Sequence, residues 1–153
     1  MQLSELGEFG LIDRIHTAVG TPPDRVLTGI GDDTAVIDMP GPLVLLLGTD
    51  AMVQGRHFRL DWMSPKEIGW RAAAACMSDI AAMGGRLICL FASISFPIDW
   101  TAEQAEALVV GMNQAAAEFR SGLVGGDTTA TDNGLFIDIV AIGDVDRDKV
   151  WRR

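Results

Sequence analysis

The stretch SPKEIGWRAAAACMSDIAAMGGRLICLFASISFP, from Ser64 to Pro97, predicts a helix followed by a buried strand. Its first four residues form a capping box with proline at the first helical position, which is a helix-start signal. We expect the helix to run to about Met83, with Gly84 as the stop. The apolar run at 87–96 predicts a strand, which the proline closes.

A second unit of the same kind follows. TAEQ, from Thr101 to Gln104, is another capping box, and its helix is expected to end near Arg120 with Gly122 as the C-terminal glycine. The remaining pattern predicts a helix at 7–19 and strands at 35–37, 43–47, 123–125 and 135–145. Two long helices on a mixed, mainly antiparallel sheet predict an α+β fold and a single domain over residues 1–153.

Charge and composition restrict the partners. The net charge of −9 disfavours nucleic acid and anionic membrane, although divalent cations could still bridge the chain to a polyanion. The longest apolar runs are too short to span a bilayer, and the N-terminus lacks the pattern of a secretory signal. Cys76 and Cys89 lie in apolar surroundings, as in a reduced protein. We therefore expect a cytoplasmic protein with no membrane or nucleic-acid partner.

Four stretches place aspartate beside glycine, serine or threonine: GIGDDTAVID (29–38), GTDAM (48–52), MSDIAAMGG (77–85) and VGGDTTATD (124–132). Each has a structural interpretation when taken alone. Asp33 can serve a turn, Asp50 and Asp127 follow predicted strands and can cap turns or helices, and Asp79 can pair with an arginine, either Arg71 or Arg86. The role of Asp32, which directly precedes Asp33 in the same glycine-containing loop, stays open.

Taken together, these aspartates predict a magnesium site. Mg²⁺ is bound by carboxylate oxygens, completed by water and substrate phosphate. The sequence holds no Walker-type loop and no kinase catalytic-loop signature, so bound phosphate would depend on metal ions. The alternative is a set of unrelated turn and cap residues.

The motifs GEFGLI, GIGDDTAV, TDAMVQGRHF, MSDIAAMGG and GGDTT, in this order, resemble the N-terminal domain of thiamine-monophosphate kinase. That family belongs to the superfamily of aminoimidazole ribonucleotide synthetase and selenophosphate synthetase. The resemblance runs from Gly7 to Arg153. It implies the superfamily's N-terminal-domain fold, with the sheet completed by homodimerisation. It also implies a phosphotransferase reaction in which ATP phosphorylates thiamine monophosphate to thiamine diphosphate with the help of several Mg²⁺ ions.

The resemblance also implies roles for particular residues. His57 is expected to contact thiamine monophosphate, with a purely structural role as the alternative. No side chain is expected to act as a nucleophile, because phosphoryl transfer depends mainly on positioning and charge neutralisation. The expected ATP contacts are Gly126, Asp127 and Arg153, with Arg152 as the alternative to the last. The expected metal ligands are Asp33, Gly48, Thr49, Asp50, Asp79 and Asp127.

Gly48 departs from the family, which commonly has serine there, so only its main-chain carbonyl could serve as a ligand. The C-terminal domain of the family is expected to lie outside these 153 residues, and the isolated domain is expected to be inactive alone. Two other interpretations stay open. The chain could bind metal and nucleotide without catalysing a reaction, or it could belong to another ATP-dependent member of the superfamily, such as aminoimidazole ribonucleotide synthetase.

Overall fold

The computed structural model describes residues 3–152, with side chains from residue 7 onward. The described chain forms three helices and a six-stranded mixed sheet whose strand order is β1-β2-β3-β6-β4-β5, so the predicted α+β class is confirmed. The β4–β5 pair is parallel and the other strand pairs are antiparallel. The elements are α1 (Leu3–Val19), β1 (Val26–Thr28), β2 (Ala35–Asp38), β3 (Leu43–Val53), α2 (Pro65–Ala82), β4 (Arg86–Pro97), α3 (Ala102–Ala117), β5 (Leu123–Thr131), β6 (Phe136–Asp146) and a 3₁₀ turn at Arg147–Lys149.

Both predicted capping boxes are present. The Ser64 hydroxyl accepts from the Glu67 main-chain N–H, while the Glu67 carboxylate accepts from the Ser64 N–H at 2.8 Å. Thr101 and Gln104 make the same reciprocal pair at the start of α3. These bonds satisfy N–H groups that lack a partner in the first turn of a helix. They explain why both helix starts follow from the sequence.

The end of α3 differs from the prediction. The helix stops at Ala117, and the left-handed conformation is taken by Arg120, with a φ of 57°, rather than by Gly122. Gly122 is therefore not the C-terminal glycine of this helix. By contrast, α2 ends at Ala82 and Gly84 adopts a φ of 76°, as its predicted role as a stop requires.

Helices α2 and α3 pack side by side on one face of the sheet. Two glycines permit their close approach, because a Cβ on Gly69 would overlap the Leu108 carbonyl oxygen and one on Gly111 would overlap the Lys66 carbonyl oxygen. The core lies between these helices and the sheet; its fully buried large side chains include Leu46, Ile68, Ile80, Leu90, Leu108, Met112, Ile137 and Ile139. On the opposite face, which we call the open face, no helix packs closely among the described residues, and α1 lies across a cavity from its Leu47 and Thr49 end.

Two strands are longer than predicted, and one was missed. β3 pairs with β6 from Leu43 through Val53, and β5 continues to Thr131. Asp50 and Asp127 are therefore inside paired strands, and the expectation that they follow strand ends is wrong. The long ladder overrides the weak strand preference of Gly, Thr and Asp. The short β1 pairs with β2 and was not predicted.

No helix in the described part of the chain is both long and apolar enough to cross a membrane.

Candidate functional site

The GTD sequence at 48–50 presents side chains to both faces of the sheet, because successive residues of a strand point in opposite directions. Gly48 and Asp50 face α2, in line with the buried Leu46 and Met52 on either side of them. Thr49 points to the open face. The predicted ligands therefore fall into two groups, one on each side of β3.

The first group surrounds Gly48 on the helix side. A Cβ at this position would lie 3.6 Å from the Asp33 carbonyl oxygen and 3.8 Å from the Asp79 Cβ. The loop before β2, strand β3 and helix α2 therefore meet here. Three of the predicted ligands, Asp33, Gly48 and Asp79, are brought together by this contact.

Asp50 belongs to the same side, as the buried thiol of Cys76 indicates. Burial, together with the negative charges of Asp50 and Asp79, raises the pKa of Cys76 to about 12. The thiol Sγ donates to the Ile139 carbonyl oxygen at 3.2 Å. Because the charges of both carboxylates act on the same thiol, Asp50 and Asp79 both lie close to Cys76.

Thr34 is the buried polar residue of this region. It is 2% exposed, and its Oγ1 atom has no hydrogen-bond partner among the described residues. Its methyl carbon lies 3.3 Å from the position of a Gly48 Cβ, so a side chain at residue 48 would require Thr34 to shift slightly. A cavity of about 560 Å³ extends from α1 to this point and is lined by Thr34, Gly48 and Thr49, among others.

Asp32 lines the same cavity, and its carboxylate accepts from the Asp33 main-chain N–H at 2.9 Å. This bond is typical of an aspartate that stabilises a turn. Gly31, just before it, has a φ of 120°, a conformation that favours glycine. The structure therefore gives Asp32 a local role in shaping the loop that carries Asp33.

The second group forms a polar strip on the open face. Ala51, Asp138, Ser93 and Asp127 lie in register across β3, β6, β4 and β5. The hydroxyl of Thr49, diagonal to Asp138, donates to its Oδ1 atom at 2.6 Å. Asp138 was missed by the sequence analysis, although an aspartate within the apolar run LFIDIVAIG was a signal that could have found it.

Asp127 does not reach the first group. It is exposed on β5 and is separated from Asp138 by strand β4, which amounts to about 10 Å at the usual strand spacing. Gly126 beside it is required by packing, because a Cβ there would overlap the main chain of Ala92. This glycine lets β5 pair closely with β4.

His57 lies in the turn after β3. The ring nitrogen Nδ1 accepts a hydrogen bond from the Val53 N–H at 2.9 Å. The main-chain N–H of His57 donates to the Val53 carbonyl oxygen at 3.0 Å. The ring nitrogen Nε2 therefore carries the proton of the neutral ring, and the side chain is exposed. His57 therefore has a structural role in this turn, and its Nε2–H is also available to donate to a ligand.

Arg153 lies outside the described residues, and Arg152 is exposed.

The donors of both groups suit a hard cation. Carboxylate, hydroxyl and carbonyl oxygens are the ligands that Mg²⁺ prefers, and the buried Thr34 hydroxyl adds an oxygen without a partner in the described structure. Among the side chains described, from residue 7 to 152, no three His, Cys, Asp or Glu form a group that could hold a metal ion. A cation would therefore need main-chain, hydroxyl or phosphate oxygens beside one or two carboxylates, as Mg²⁺ sites in phosphoryl-transfer enzymes commonly do.

Residues 31–145 match the family described as AIR synthase related protein, N-terminal domain. Because this match covers well over half of the chain, including both packed helices and strands β2 to β5, the chain belongs to that family. Among curated proteins, it is 40% identical over 144 residues to a thiamine-monophosphate kinase of Mycobacterium tuberculosis, covering 94% of this chain and 42% of the relative. It is 35% identical over 148 residues to the Bacillus subtilis thiamine-monophosphate kinase, covering 97% and 45%.

The solved structure of AaThiL complexed with AMPPCP and TMP matches with a TM-score of 0.85 and 32% identity, over 96% of this chain and 45% of that one. The chain spans less than half the length of these curated relatives. The resemblance stated from the motifs is therefore confirmed at the level of the family, the fold and the named relatives.

Proposed function

We propose that this chain is the ATP- and magnesium-binding N-terminal domain of an enzyme that phosphorylates thiamine monophosphate to thiamine diphosphate. The observation that carries the proposal is that residues with oxygen donors group on both sides of residues 48–50. The named relatives and the complex of AaThiL with AMPPCP and TMP support the substrates. ATP is the co-substrate in this proposal.

Each group of residues has a distinct part in the proposed reaction. Bound Mg²⁺ would supply charge neutralisation for the phosphates. Asp33, Asp50, Asp79 and the Gly48 carbonyl hold cations on the helix side, and Thr49 and Asp127 hold them on the open face. An oxygen of the thiamine monophosphate phosphate attacks the γ-phosphorus of ATP, and ADP leaves, so no nucleophilic side chain is needed.

The substrate contacts follow from the exposed donors. The His57 Nε2–H donates to the phosphate of thiamine monophosphate, while its Nδ1 stays bound to the Val53 N–H. The Gly126 main chain contacts ATP, and Arg153 pairs with its phosphates. The proposed setting is a cytoplasmic homodimer that joins two copies through the open face.

Thermal unfolding of the chain with ligands tests this proposal. We expect millimolar Mg²⁺ with ATP to raise the melting temperature more than ATP without metal, because cations relieve repulsion between carboxylates and phosphate. Asp79→Asn should reduce the magnesium-dependent part of the shift. Asp99→Asn removes the same charge from the exposed turn before α3 and should keep that shift. Equal shifts with and without Mg²⁺ in the wild type would contradict the proposal.

A further inference from the structure

The bond between Thr49 and Asp138 gives a role to a residue that the proposed function leaves unused. The two side chains meet across the β3–β6 ladder at 2.6 Å, the usual distance for a hydroxyl that donates to an ionised carboxylate. Both lie in the polar strip of the open face, whose other polar members are Ser93 and Asp127.

The direction of this hydrogen bond follows from its chemistry. An ionised carboxylate only accepts, so the single proton of the Thr49 hydroxyl is directed to Asp138. The oxygen lone pairs of Thr49 are then left for an electron-pair acceptor. A hydroxyl held in this way can bind a cation, but it cannot donate to a phosphate oxygen.

We propose that Asp138 is a positioning residue, which fixes the Thr49 hydroxyl so that its lone pairs face a divalent cation on the open face. This inference rests on the proposed function, in which Thr49 is a cation ligand. Asp138 acts through Thr49 in the same way that partners of metal ligands orient those ligands and increase their basicity. An asparagine at 138 would have nearly the same shape, but its amide could donate to the Thr49 oxygen and occupy a lone pair.

Asp144 provides a matched control on the same strand and the same face of the sheet. It lies six residues along β6 and is bound to Arg86 at 2.9 Å rather than to a residue of the polar strip. Asp144→Asn therefore changes the net charge as Asp138→Asn does, without touching Thr49. A general electrostatic effect of the open face would appear in both variants.

The experiment measures Mn²⁺ binding to the chain by the loss of the free-Mn²⁺ electron paramagnetic resonance signal, with no enzymatic turnover. We expect Asp138→Asn to weaken Mn²⁺ binding by about tenfold or more, the usual effect of removing a partner of a metal ligand. Asp144→Asn should bind within about twofold of the wild type. Circular dichroism melts of each variant confirm that the fold is retained.

A double-mutant cycle separates positioning from direct binding. Thr49→Val removes the hydroxyl, so Asp138→Asn should cause no further loss in that background if it acts through Thr49. Equal losses in the two backgrounds would show that Asp138 acts on the cation directly and would overturn the positioning role. Wild-type affinity in Asp138→Asn would also overturn it, while leaving the proposed function intact. A wild-type chain that binds no Mn²⁺ would overturn both this inference and the metal sites of the proposed function.

Discussion

At the scale of single residues, the raised pKa of Cys76 reflects its burial and the negative charge of the candidate site. Cys76 is fully buried, and its thiol is near both Asp50 and Asp79. Ionising this thiol would put a third negative charge beside two carboxylates in a dry core, which is why its pKa is raised. The cysteine therefore stays protonated and serves the core, as its apolar sequence context predicts.

This shift predicts a loss of stability at high pH. The folded chain holds the Cys76 proton up to a pKa of about 12, whereas the unfolded thiol ionises at its ordinary, lower pKa. The stabilisation is complete below the unfolded value and is lost as pH rises toward 12. Between pH 8 and 10.5 the wild type should lose about 2–3 kcal/mol through this thiol in urea unfolding. The chain has no tyrosine to titrate in this range.

Two cysteine variants check the assignment. Cys76→Ala starts from a lower stability but should lack this part of the pH dependence. Cys89→Ala keeps the buried thiol and should lose stability with pH as the wild type does. The same pH dependence in Cys76→Ala and the wild type would show that another group is responsible.

At the scale of elements, the α2–α3 pair depends on its two facing glycines. Alanine at Gly111 would gain about 1 kcal/mol of helix propensity but would overlap the Lys66 carbonyl oxygen, and such overpacking costs roughly 3 kcal/mol. We therefore expect Gly111→Ala to destabilise the chain by about 2 kcal/mol, which lowers the melting temperature by roughly 6 °C. Gln114→Ala, at an exposed position of the same helix, should stay within about 0.5 kcal/mol of the wild type. A stability gain in Gly111→Ala would mean that the helices do not approach this closely.

The elements also show which parts of the structure local sequence can predict. Ser64 and Thr101 mark helix starts because each capping box is completed within four residues. The full lengths of β3 and β5 depend on partner strands that are distant in the chain, as in the pairing of Asp50 with Ile139. The same limit hid Asp138, since its neighbour Thr49 lies 89 residues away and only the register brings them together.

The candidate site shows the same difference between what local sequence predicts and what depends on long-range strand pairing. The motifs located Asp33, Gly48 and Asp79, and the fold places them side by side. They could not indicate that Thr49 and Asp50 face opposite sides, because the strand was expected to end at these residues. Once β3 is known to continue to Val53, alternation of side chains separates them.

At the scale of the whole molecule, the open face exposes apolar side chains that no other part of the described chain covers. It carries the polar strip, and beside that strip it exposes Val53, Phe91 and Phe136, each a little over a third exposed. Exposed apolar side chains on a sheet favour association with another sheet. A second copy could cover this face by a two-fold, self-complementary contact.

We therefore predict that the 153-residue chain dimerises through the open face and buries at least about 1,000 Å² in total, the lower range for a specific interface. Phe136→Asp should shift the chain to monomer in sedimentation at micromolar concentration, because the new charge would be buried against the partner copy. Phe119→Asp places the same charge on a more exposed phenylalanine just after α3, away from the open face, and should leave the dimer intact. A folded wild-type chain that sediments as a monomer would rule out this assembly. Dimerisation that survives Phe136→Asp but not Phe119→Asp would move the interface to the surface near the end of α3.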